Sequence, residues 1–216
     1  MDRPRRRLMA RSAAVCGLLW GSAWVQGAAG TSLRPAADHS DAQASLAARM
    51  RAGGVVIAFR HALAPGTFDP PGFVLEDCRT QRNLNEEGRA QSARIGHWFR
   101  EQGLAPTLVR SSPWCRCLET ARLAFGAPAV QTWAALGSPR GTSEQAYPEY
   151  QDLLRQAAAQ RRASGGLEVW VTHMFVLQDL VAQAVGSAEA LLLRGDPRAP
   201  RNRSALQVLG HWRLPG

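Results

Sequence analysis

The sequence predicts an α/β protein with a mostly parallel central sheet flanked by helices. Two short apolar runs, VVIAFRH at Val55–His61 and LEVWVTH at Leu167–His173, carry most of that reading. Each is apolar for about a strand's length and then ends in polar residues, which suits strands buried on both faces. The third observation is the order of elements. Stretches with apolar residues at helical spacing separate the strand-like runs, so strands and crossovers alternate.

Taken in order, residues 1–30 read MDRPRRRLMARSAAVCGLLWGSAWVQGAAG: an Arg-rich head, an apolar middle and a small-residue end. That is the layout of a secretory signal peptide, expected to occupy residues 1–29. The apolar stretch is too short and too rich in Gly for a comfortable membrane span. Periplasmic or secreted localisation follows as an expectation, with no stable membrane span after processing. Residues 30–44 read as a flexible lead-in and 45–216 as one domain, in keeping with a chain of 216 residues.

Ser45–Arg51 reads as a short helix, with Gly53 and Gly54 leading into the Val55–Phe59 strand. That strand delivers Arg60 and His61. Residues 62–83 form a long loop carrying Arg79 and Arg82, each placed to meet either a ligand or solvent. Asn85 is a good N-cap for a helix that buries Ile95, Trp98 and Phe99 and ends at Gly103. Leu108-Val109 gives a second strand, with Arg110 read as a strand-end surface residue. Ser112 is the expected N-cap of the next helix, with Pro113 in its first turn, running to about Phe125. Residues 130–133 suggest a third strand, and 136–148 a second long loop containing Glu144. A helix is expected over Gln151–Arg162, then the Leu167–Val171 strand and a helix over Met174–Val185. Residues 205–212 read as a final edge strand.

Composition narrows the chemistry. All 26 basic residues are Arg, so lysine Schiff bases and P-loops are excluded. The formal charge of +9 falls to +5 without residues 1–29, which hold five Arg and one Asp. No nucleic-acid-binding motif accompanies that mild excess, so no nucleic-acid partner is expected and a small anionic ligand explains it better. The cysteines beyond the leader are Cys78, Cys115 and Cys117. Cys115 and Cys117 point to nearly opposite sides of one helix, so only one can meet Cys78. A Cys78–Cys115 disulfide with Cys117 packed as a small hydrophobe is expected, and a Cys78–Cys117 link is the alternative. Zinc ligand spacing is absent, and no metal or cofactor is expected.

In a parallel sheet the three strand ends, Arg60-His61, Ser111-Ser112 with Arg116 one turn on, and Thr172-His173, lie on one side. Two His and two Arg would then converge on one crevice. A neutral imidazole can attack phosphorus, Arg forks neutralise phosphoryl oxygens, and a second His can stabilise the transferring group.

Phe59-Arg60-His61, LNEEGRAQ at Leu84–Gln91, SSPWCRCLETA at Ser111–Ala121 and Val171-Thr172-His173 resemble the four successive motifs of the histidine phosphatase superfamily, branch 1. The resemblance implies the three-layer, phosphoglycerate-mutase-like sandwich and a metal-independent phosphomonoesterase working through a phosphohistidine. It implies His61 as nucleophile, Arg60 and Arg116 as phosphate clamps and His173 as second phosphate-pocket histidine. Glu144 is the nearest candidate general acid, with Glu76 and Asp77 as competitors. Ala62 stands where many members have Gly, which is tolerable if the backbone there needs no positive φ. A small phosphorylated substrate is implied, an envelope phospho-sugar being one class that exported relatives use. A silent anion-binding module of the cell envelope and a phosphomutase are the alternative functions. Oligomeric state is not specified.

Overall fold

A computed structural model describes residues 37–196 and 205–214. The expected signal peptide lies outside the described residues. Eleven principal elements follow in order: α1 (Ala37–Ala52), β1 (Val55–Arg60), α2 (Glu86–Glu101), β2 (Leu108–Ser111), α3 (Cys115–Phe125), β3 (Val130–Thr132), α4 (Ala146–Ser164), β4 (Leu167–Thr172), α5 (Met174–Val181), β5 (Ala190–Gly195) and β6 (Leu206–Trp212). They build one six-stranded sheet in the order β3-β2-β4-β1-β5-β6. The four strands β3, β2, β4 and β1 are parallel; at one edge β5 pairs antiparallel with β1, and β6 antiparallel with β5.

β1 and β4 pair in the middle of the sheet, Val55 opposite Leu167 and Arg60 opposite Thr172. Alternation of side chains along β1 splits its apolar run between two cores. Val55, Ile57 and Phe59 pack with α1, α2 and α3, whereas Val56 and Ala58 pack with α4 and α5. The result is a three-layer α/β sandwich, which explains why neither strand shows a solvent-exposed face.

Several boundaries differ from the sequence reading for identifiable reasons. α1 begins at Ala37, so part of the segment read as a lead-in is helical. α4 begins at Ala146 rather than near Gln151, with Pro148 tolerated in its first turn. α5 ends at Val181, where Ala182 takes a left-handed conformation. β5 is a strand that the sequence pattern does not announce. Its ALLLRG run lies on the sheet edge of β1, and nothing in its composition separates a buried strand from a Leu-rich helix. β6 is the edge strand expected.

Candidate active site

The C-terminal ends of β1, β2 and β4 open on one cavity of about 320 Å³, whose lining includes Arg60, His61, Asp69, Arg82, Arg116, Arg140 and His173. Register places the first and last of the expected residues together: Arg60 pairs with Thr172, and the His61 N–H donates to the Thr172 carbonyl at 2.9 Å. The His61 and His173 rings stand edge to face with centroids 5.6 Å apart.

His61 is only 2 % exposed, and its Nδ1 lies 2.7 Å from its neighbour's carbonyl, that of Ala62. A carbonyl can only accept, so Nδ1 carries the proton and Nε2 is unprotonated. Burial, then the Arg116 charge, with Arg82 and Arg60 adding to it, holds the His61 imidazole well below the usual histidine range. The ring is therefore neutral at pH 7. Ala62 is not among the residues with positive φ, so the absence of Gly there costs the backbone nothing.

His173 is equally buried, and burial followed by the Arg116 charge keeps it neutral as well. Its Nε2 is 2.8 Å from Ser112 Oγ, and Arg116 Nη2 lies 3.4 Å from its Nδ1. This contact corrects the expected role of Ser112. The hydroxyl is drawn into the site, and α3 starts three residues later with Trp114 in the cap position and no side-chain cap bond.

The long loop after His61 folds back over the cavity. Asp69, from that loop, accepts from Arg116 Nη1 at 2.8 Å, from the Arg82 backbone at 3.0 Å and from Trp114 Nε1 at 3.2 Å. Arg82 reaches the Ala64 and Gly66 carbonyls, and its Nη2 comes to 3.5 Å from His61 Nε2. Burial, then Arg116, pushes the Arg82 guanidinium down to about 10, so it remains charged. Arg60 donates to the Val185 carbonyl at 3.3 Å. Arg60, Arg82 and Arg116 each keep a buried Nε with no acceptor among the described residues. Three crowded guanidiniums with unspent donors form a ready anion site.

Cys78 and Cys115 form the expected disulfide, tying the long loop to the first residue of α3. Cys117 is the free cysteine among the described residues; it is buried 3.6 Å from His173 Nε2, and burial pushes its thiol up to about 12. It is an inert neighbour, as expected of a packed hydrophobe.

Glu144 is not brought to the site. It is exposed, beyond Ser143, whose hydroxyl accepts from the Ala146 N–H as α4 begins, and it does not line the cavity. Of its competitors, Asp77 is engaged with Arg79 in the outer loop, and Glu76 does not line the cavity either. Asp69 is the carboxylate that the sequence reading missed. The one usable signal was indirect: a buried Arg clamp needs a counter-charge, and the loop was the nearest source.

The profile of the histidine phosphatase superfamily (branch 1) matches residues 77–164. Over those residues the chain is similar to that superfamily. Solved structures of similar fold include the protein histidine phosphatase SixA complexed with tungstate, at 16% identity and a TM-score of 0.52, covering 73% of this chain and 95% of that one. A phosphoserine phosphatase mutant from Entamoeba histolytica in complex with phosphoserine is 12% identical, with a TM-score of 0.52 and the same two coverages. A structure from Escherichia coli, named as that of a "putative alpha-ribazole-5'-P phosphatase", is 15% identical with a TM-score of 0.51, covering 72% and 95%. At these identities the likeness is one of fold. No curated protein matches the sequence.

Proposed function

We propose that the protein is a phosphomonoesterase that hydrolyses a small phosphate ester through a phosphohistidine on His61, using protein groups alone. The observation that carries this reading is the His61 Nε2 lone pair on a neutral ring, facing Arg82 at 3.5 Å and charged clamps on either side. In the first step Nε2 bonds to phosphorus, the ester P–O bond breaks, and the leaving oxygen takes a proton from water at the cavity mouth. In the second step a water oxygen attacks phosphorus, the P–N bond breaks, and the water's proton passes to solvent. His61 returns to its neutral form.

Arg60, Arg82 and Arg116 neutralise the phosphoryl oxygens as charge builds on them. His173, 5.6 Å from His61 between ring centroids, lies where it can bond the same group. Asp69 acts through Arg116, holding the clamp in place, since its oxygens are occupied by Arg116, Trp114 and the Arg82 backbone. The Arg-rich, apolar, small-residue leader and the Cys78–Cys115 bridge both support an exported enzyme of the periplasm or exterior.

The test is a phosphomonoesterase assay in the presence of a chelator, combined with acid-labile labelling of the protein by a phosphate ester. The wild type should turn over and label, and His61→Ala should abolish both. Label persisting on another residue would overturn the mechanism. A wild type that binds phosphate but hydrolyses no member of a broad ester panel would instead favour an anion-binding module, and net phosphoryl transfer between two substrate positions a mutase.

A further inference from the structure

We infer that the preferred substrate is doubly acidic, and that Arg140 receives its second anionic group, a carboxylate or a further phosphate. The inference rests on the phosphatase reading for the first group and adds the second. It begins with the charges that line the cavity: Arg60, Arg82, Arg116 and Arg140 against the single carboxylate of Asp69. Asp69 and Arg116 cancel as a buried pair, their side chains 8% and 4% exposed. Arg60 and Arg82 donate to backbone carbonyls and have no ion-pair partner among the described residues. Their two charges match the nearly dianionic phosphate of a monoester at pH 7. Arg140 is then a surplus cation at the rim.

That surplus charge is held in place. Arg140 follows Pro139, and its backbone N–H donates to Ser138 Oγ at 3.3 Å. Gly141, next in the chain, has φ +105°, and a Cβ there would stand 2.8 Å from the Trp114 ring and 2.9 Å from Phe73. The loop is thus pressed onto the ring that also bonds Asp69. The Arg140 guanidinium lies over the Phe68 ring, 4.0 Å from its centroid. Phe68 belongs to the other long loop, so the pair bridges the two loops at the mouth. Stacking spends the face of the guanidinium and leaves its in-plane N–H donors for an anion. Phe68 is 51% exposed although it is a large apolar ring, which fits a wall for a bound ligand's carbon skeleton. A cavity of about 320 Å³ takes only a small molecule, so a second group on it would come close to the rim.

Binding of unhydrolysable phosphonates to the full chain, read by calorimetry, tests this without turnover. The pairs are ω-carboxyalkylphosphonates against alkylphosphonates of equal length, with alkylene bisphosphonates as a third arm. Wild type should bind the doubly acidic member about ten-fold tighter, the worth of one charge-assisted contact. Arg140→Gln should bring the members within about two-fold while leaving alkylphosphonate affinity unchanged. The third arm shows whether carboxylate or phosphate is preferred. Equal affinities in wild type, a preference that survives Arg140→Gln, or no binding of either member would each overturn the inference. A preference without ester hydrolysis sinks only the phosphatase reading, and hydrolysis without a preference sinks only this one.

Discussion

Neutrality of the two site histidines, and the pairing of Asp69 with Arg116, are the residue-scale facts on which the chemistry depends. His61, Arg60, Arg116 and His173 were legible because each stands just past an apolar run or, for Arg116, in the first turn of a helix. Asp69 was not, because a carboxylate in a loop of Pro and Gly carries no periodic signal. Its pairing with Arg116 gives a prediction. Asp69→Asn keeps the shape but removes the counter-charge from a buried guanidinium, so stability should fall by about 1–3 kcal/mol in chemical denaturation. Inorganic phosphate should restore more of that loss in the variant than it adds to the wild type, because the anion supplies the missing charge. Catalysis should fall about ten- to a hundred-fold in kcat/KM as the clamp loses its orientation. Equal effects of phosphate on both proteins would remove Asp69 from this role.

The long loop between β1 and α2 is the element that completes the site, and its hold on the rest of the molecule explains how. Cys78–Cys115 anchors one end to α3, one residue from Arg116. Gln81 adds a second anchor, its Oε1 accepting from the Cys115 N–H at 3.0 Å. At the other end α2 packs directly on the loop. A Cβ at Gly88 would come within 2.1 Å of the Leu63 carbonyl oxygen, so glycine lets helix and loop touch. Replacing both cysteines by Ser should lower stability by about 2–4 kcal/mol, as expected for a bridge closing a loop of this size. It should also raise KM more than it lowers kcat, because Asp69 and Arg82 loosen while His61 stays on β1. A variant with unchanged KM would show that the loop is held by its packing alone. The sequence exposed the bridge, since the opposed faces of Cys115 and Cys117 left few pairings. It could not expose the fold of the loop, which depends on Gln81 and Asp69 finding partners far along the chain and on Arg82 closing back onto the loop itself.

On the scale of the whole molecule, the cost of burying two imidazoles among guanidiniums is paid in stability at low pH. Both folded-state pKa values lie below the unfolded value, by burial first and by Arg116 next. Above about pH 6.5 both states hold these rings neutral, and their contribution does not change with pH. Below it the unfolded chain takes up protons that the folded site refuses, so stability falls as pH falls, until the folded-state values are reached. Denaturation midpoints measured between about pH 7.5 and 5 should drop steeply. A His61→Gln, His173→Gln double variant should show a shallower drop, and parallel curves would rule out the two rings as its source. Added phosphate should flatten the wild-type curve, because a bound anion offsets the arginine field and lets the rings accept protons.

Sequence by itself determined the α/β class, two apolar strands buried on both faces, the polar residues at their ends, and a choice of two pairings for the cysteine bridge. These are local properties: periodicity, run length and the chemistry of what terminates a strand. Tertiary structure decided what meets across the cavity. It brought Asp69 to Arg116, turned Arg82 toward His61, drew Ser112 away from its helix cap to His173, left Glu144 in solvent, and laid Arg140 on Phe68. Each of those outcomes depends on loops closing over many residues, where the side chain that arrives first is set by packing and charge in three dimensions and leaves no pattern in the order of the chain.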